Sequence, residues 1–146
     1  MNYTRLKPNI PFSARLNEWI EKRVESIPHV IDDDAPETLE GMVQKYAQTG
    51  KVWVNDKHGL LTIFGNPYTN AMFRVWHDWH HIRYQYELTI LGEIATAYSQ
   101  IRELPHDWHE EKVLLLTEII GQAWLYSETQ VFPDDQRTFT TNILGL

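Results

Sequence analysis

The side chains best suited to chemistry in this chain fall in His77-Asp78-Trp79-His80-His81, at Glu93, and at Glu118 with Gln122. Imidazole and carboxylate together are the donor set that holds zinc, manganese or iron. Residues advance about 100° each around a helix, so His77 and His81 lie about 40° apart and His77 and His80 about 60° apart. Either pair can clip one divalent cation. Asp78 points about 100° away from His77 and is read as an orienting group beside the ligands. Glu93 directly follows Gly92, where a carboxylate also complements a helix dipole, worth about 0.3–1 kcal/mol.

Glu118 is the most demanding of these residues. The stretch 113–125 is apolar on nearly every side, which predicts a central buried helix with Glu118 in its middle. A buried carboxylate costs several kcal/mol unless it is paired, protonated or bound to metal. The sequence therefore predicts that His77, one of His80 or His81, Glu93 and Glu118 converge on one metal site. Asp78 or Gln122 would orient the ligands from beside it. Glu111, on the first turns of the same helix, is assigned to an exposed face. His106 and His109 are read as solvent-exposed residues at that helix's start.

The elements that must position these residues follow from periodicity and caps. Ser13 can cap a helix with Leu16, Trp19, Ile20, Val24 and Ile27 on one face, stopped by Pro28. Asp34-Ala35-Pro36-Glu37 reads as a capping box opening a second helix that Gly50 ends. Residues 51–54 and 60–64 read as two strands around the turn Asn55-Asp56-Lys57-His58-Gly59, a short β-hairpin. A long helix capped by Thr69 or Asn70 is expected over 71–91, and another runs from Gly92 to Pro105. Asp107-Trp108-His109-Glu110 is a second capping box, and a final short helix is expected over 136–143. The fold class is mainly α: one compact helical domain over 1–146 with one hairpin and the polar site within 71–136.

Composition narrows the function. Apolar residues at 42% and charged residues at 23% describe a packed globular chain rather than a disordered one. Thirteen basic against twenty acidic residues give a formal charge of -7, with no long basic run, so nucleic acid is not expected as a partner. Cysteine is absent, which removes disulfides, thiolate zinc sites and thiol nucleophiles. No stretch approaches the roughly 20 apolar residues of a membrane span, and no apolar signal core opens the chain. A cytoplasmic location is expected.

The order of these motifs resembles a domain of phage proteins, also found within large polyvalent phage polypeptides. Its pattern runs Phe-Arg-x-x-His-Asp with a nearby His, then Gly-Glu, then Thr-Glu-x-x-Gly-Gln, then a late Gln. The matching stretches are Phe73-Arg74-Val75-Trp76-His77-Asp78, Gly92-Glu93, Thr117-Glu118-Ile119-Ile120-Gly121-Gln122 and Asp135-Gln136, within about 63–146. The family places Gly-His after His-Asp where this chain has Trp79-His80-His81, so either histidine can take the second position. The resemblance implies a phage setting, hence host cytoplasm, and a shared polar site, without fixing a reaction.

The leading expectation is a metal-dependent hydrolase acting on a small-molecule substrate through a metal-bound water. A second is an HD-type phosphohydrolase using His77-Asp78 with His58 upstream and Asp134 or Asp135 downstream. A third, of a different class, is a non-catalytic viral protein that binds a host protein, its polar cluster a buried hydrogen-bond network without metal.

Overall fold

The computed structural model describes residues 7–145. Six helices and two short strands follow in the order α1 (Ala14–Val24), β1 (His29–Ile31), α2 (Leu39–Thr49), β2 (Val52–Val54), α3 (Pro67–Tyr84), α4 (Ile90–Ile101), α5 (His109–Thr129) and α6 (Gln136–Ile143). The mainly helical class is as the sequence predicts.

The strands differ from the sequence expectation. β2 pairs in parallel with β1, in the register His29 to Val52, Val30 to Trp53 and Ile31 to Val54, and α2 forms the crossover between them. Residues 60–64 are not a strand but a series of bends, because their backbone groups find other partners. Phe12 N–H donates to the Ile63 carbonyl at 2.9 Å, Arg137 donates to the carbonyls of Leu61 and Thr62, and Asn17 Nδ2 donates to the Phe64 carbonyl at 2.8 Å. A segment so pinned by side chains and by distant backbone has no free ladder edge to pair with β2.

α1 is capped by Ser13 as expected and buries Leu16, Ile20 and Val24 against α3. Elsewhere the caps lie a few residues from their expected positions. Thr38, not Asp34, caps α2, accepting from Gly41 N–H, and Gly50 ends it at φ 71°. α3 starts earlier than expected, with Asn66 as cap and Pro67 in its first turn, so Thr69 and Asn70 are buried inside the helix. It ends at Tyr84, where Gln85 takes a left-handed conformation at φ 53°. α5 starts behind Trp108 with no side-chain cap, leaving Asp107 unused in that role, whereas Asp135 caps α6 by accepting from Thr138 N–H at 2.9 Å.

The central helix is α3 rather than α5. Ala71, Met72, Phe73, Val75, Trp76, His80 and His81 are all buried, and Trp76 sits among Trp19 at 5.0 Å, Phe73 and His80. α5 buries one face through Leu114, Leu115, Glu118 and Ile119, while Val113 and Trp124 stand 51% and 57% exposed on others. Its continuous apolar content therefore overstates its burial. Glu111 is also placed differently from expectation: it is buried, takes Arg15 at 2.7 Å and accepts from Ser13 Oγ at 2.8 Å. Packing runs α1 on α3, α3 on α4, α4 on α5 and α5 on α6. Among the described residues no helix is long and apolar enough to cross a membrane.

Candidate metal centre

The site is built where α3 faces the first turn of α4. His77 and His81, one turn apart on α3, set their rings 4.7 Å apart between centroids at an interplanar angle of 78°. After α3 the left-handed Gln85 turns the chain so that the Tyr86 carbonyl meets His81 Nδ1 at 2.7 Å. Thr89 then caps α4 by accepting from Gly92 N–H at 3.2 Å. Gly92 is required there by space: a Cβ would lie 1.8 Å from the Glu87 carbonyl oxygen. The tight passage delivers Glu93 onto the two histidines.

Hydrogen-bond accounting fixes which atoms face inward. A carbonyl only accepts, so His81 Nδ1 carries the proton it donates to Tyr86. His77 Nδ1 likewise donates to Gln100 Oε1 at 2.6 Å. Both Nε2 atoms are then left to face each other at 3.2 Å and to meet Glu93, Oε2 at 2.9 Å from His77 and Oε1 at 3.1 Å from His81. One ligand atom from each of the three residues lies within 4.8 Å of the others. Donors about 2.1 Å from a shared cation and 90–109° apart would be separated by roughly 3.0–3.4 Å; the 3.2 Å between the two Nε2 atoms lies in that range, while Glu93 meets the two rings with different oxygens. Two imidazole nitrogens oriented through their far ring atoms, with one carboxylate, form a group that could hold a metal ion.

Electrostatics agree with this geometry. Burial would lower His77, but the adjoining Glu93 carboxylate more than reverses it and lifts His77 to about 9. Burial would raise Glu93, and the His77 contact instead brings it down to about 2. Without a cation, a proton holds these groups together. Asp78, next to His77, is lifted to about 6 by burial, with His77, His81 and Arg74 opposing and the Glu93 charge adding to the rise.

The structure thus brings together His77, His81 and Glu93 from the sequence-derived set, with Asp78 beside them. His80 points elsewhere: its Nδ1 meets Ser99 Oγ at 2.7 Å and its Nε2 meets Glu103, so no lone pair is left for the triangle. Glu118 is outside the ligand group as well. Its Oε2 accepts from Thr140 Oγ1 at 2.7 Å and its Oε1 from Gln122 Nε2 at 2.5 Å, and burial pushes it up to about 7. Two accepted hydrogen bonds, one of them joining α5 to α6, are how this carboxyl meets its energetic requirement, and Gln122 serves Glu118 rather than the histidines. Asp135 is spent on the α6 cap, while His58 and Asp134 line a separate depression with Asp56, so an HD-type grouping around His77-Asp78 is not assembled.

Sequence reasoning missed Thr96 and Glu103 on the side facing α3, and left Gln100 without a role. Thr96 bonds back to the Gly92 carbonyl and stands 3.4 Å from His81 Nδ1, while Glu103 takes Trp76 Nε1 at 2.7 Å and Arg23 Nε at 2.6 Å. Glu93, Thr96 and Gln100 in α4, with Glu103 just beyond its end, recur at steps of three and four as a polar stripe, and that spacing was the available signal. No known protein family matches the chain, and neither does any curated protein or solved structure with which it was compared.

Proposed function

We propose that this protein is a metal-dependent hydrolase whose divalent cation is held by His77 Nε2, His81 Nε2 and a Glu93 carboxylate oxygen. The observation that carries the reading is the pair of Nε2 atoms, each fixed by a hydrogen bond through its Nδ1, converging on one carboxylate. The His77 and Glu93 side chains are 15% and 17% exposed while His81 is fully buried, so solvent reaches the triangle from the His77–Glu93 side. Three protein ligands leave a position there for water, whose pKa a bound cation lowers to about 7. Asp78 occupies the position directly after the first of two histidines one helical turn apart. In the His-Glu-x-x-His arrangement on a helix the acid at that position serves as the general base for the metal-bound water, and Asp78, one methylene shorter, is assigned that role in this proposal. A small molecule is the substrate class, and a phage setting with action in host cytoplasm belongs to the same proposal. His77-Asp78 and Gly92-Glu93, the motifs of the phage-domain resemblance, fall at this triangle.

The test is metal uptake by protein purified without an immobilised-metal step. One equivalent of zinc, manganese or iron(II) bound per chain, lost in H81A and E93A variants that still melt cooperatively, is expected. A second reading is favoured by the His77–Glu93 contact itself, which a proton can satisfy without metal. In that case the cluster is a structural network in a viral protein that binds a host protein, and no stoichiometric uptake would be seen.

A further inference from the structure

We propose that the depression where the C-terminal turns of α1, α3 and α4 meet binds a small phosphate monoester with an aromatic body, the chemical class of a nucleoside monophosphate. The open depression has a volume of about 420 Å³ and draws Arg23, Arg83 and Arg102 together with Trp79, Tyr84 and Tyr86. That volume falls within the few hundred Å³ typical of sites for one small ligand. In a chain of formal charge -7, three of the thirteen basic residues share this one hollow.

Its only carboxylate among the described residues is already engaged. Glu103, which lines it, takes Arg23 Nε at 2.6 Å, Trp76 Nε1 at 2.7 Å and His80 Nε2. Arg83 and Arg102 form no ion pair among the described residues. Arg83 is instead bedded on rings, its guanidinium carbon 5.1 Å from the Trp79 centroid and 5.8 Å from that of Tyr84. A guanidinium resting over rings, with no carboxylate paired to it, has its N–H fork available, and that fork grips phosphate oxygens in pairs. Trp79 carries Arg23 as well, at 5.1 Å. Tyr84 and Tyr86 stack at 5.6 Å and 29° apart, and Tyr84 remains 48% exposed, leaving an aromatic wall for a flat ring.

Each arginine also sits at or beside a helix C-terminus, where a cation complements the dipole. That role calls for neither a shared hollow nor an aromatic bed, and it is separable by experiment. The hollow contains none of His77, His81 or Glu93, so the proposal stands apart from the metal reading.

Calorimetric titration of the full chain, stripped of metal on a chelating resin, with AMP, adenosine and inorganic phosphate tests it. AMP is expected to bind saturably at one per chain and at least tenfold tighter than either fragment. The R83A/R102A double variant is expected to weaken AMP at least tenfold, at a melting temperature within a few degrees of wild type, and an R83K/R102K variant to recover only part of the loss. Absence of saturable AMP binding at millimolar concentration, equal affinity for AMP and adenosine, or equal affinity in wild type and R83A/R102A would each overturn it. So would single-stranded oligonucleotide binding far more tightly than AMP, since the occupant would then be a polymer.

Discussion

Replacing Glu118 with glutamine should make the protein more stable, and by an amount that depends on pH in a definite direction. Burial lifts Glu118 from 4.5 to about 7, and the side chain is only 3% exposed. Between those values the folded state keeps a proton that the unfolded chain has released, so wild-type stability falls as pH rises through this window and levels off above about 7. At about 1.4 kcal/mol per pH unit of displacement the loss amounts to roughly 3 kcal/mol. The E118Q variant keeps the volume and one acceptor oxygen, turns the other contact into an N–H donor so that the bond to Thr140 reverses direction, and has no proton to lose. It should match wild type near pH 4 and exceed it by about 3 kcal/mol at pH 8, a rise of roughly 6–12 °C in melting temperature for a chain of this size. Urea unfolding of both proteins at half-unit steps from pH 4 to pH 8 measures the difference. A difference that stays flat across this range would refute the placement of Glu118 as a buried neutral acid, and a decline with pH would mean that its ionised form is stabilised by a partner such as a cation.

Three further outcomes follow from the site. In metal-free protein the raised His77 contributes stability that is complete below about pH 6.5 and is lost as pH rises through 9, while the depressed Glu93 contributes stability complete above about 4.5 and lost as pH falls through 2; an E93Q variant should flatten both limbs in denaturant titrations, and unchanged limbs would count against the pair. Gly92→Ala drives a Cβ into the Glu87 carbonyl at 1.8 Å, so it should cost at least about 1–3 kcal/mol and lower metal affinity by displacing Glu93, whereas wild-type melting and affinity would contradict that packing. His80→Gln should leave metal stoichiometry at the wild-type value while His81→Gln abolishes it, and the reverse pattern would exchange the two histidines' roles.

The helical class and the pairing of His77 with Glu93 were legible because helical spacing and the residue after Gly92 are local signals. The choice between His80 and His81 was not, since both lie near His77 around α3 and only the Tyr86 carbonyl and Glu103 decide which ring turns to the triangle. Glu118 was correctly singled out as buried, but the inference that it must join the histidines assumed an ionised group. Thr140, on a helix 22 positions away, offered a hydrogen-bond partner that no local pattern announces. The hairpin failed for a related reason: 60–64 has strand-like composition, and its backbone is taken by Phe12, Asn17 and Arg137 from far along the chain.

The central claim is that one cation replaces the proton held between His77 and Glu93. Calorimetric zinc titration at pH 7.5, repeated in buffers of different ionisation enthalpy, measures binding and proton release together. One zinc ion per chain with about one proton released is the expected result, because His77 carries a proton at that pH until metal displaces it. Sub-stoichiometric uptake, or binding that persists unchanged in the E93A variant, would contradict the account.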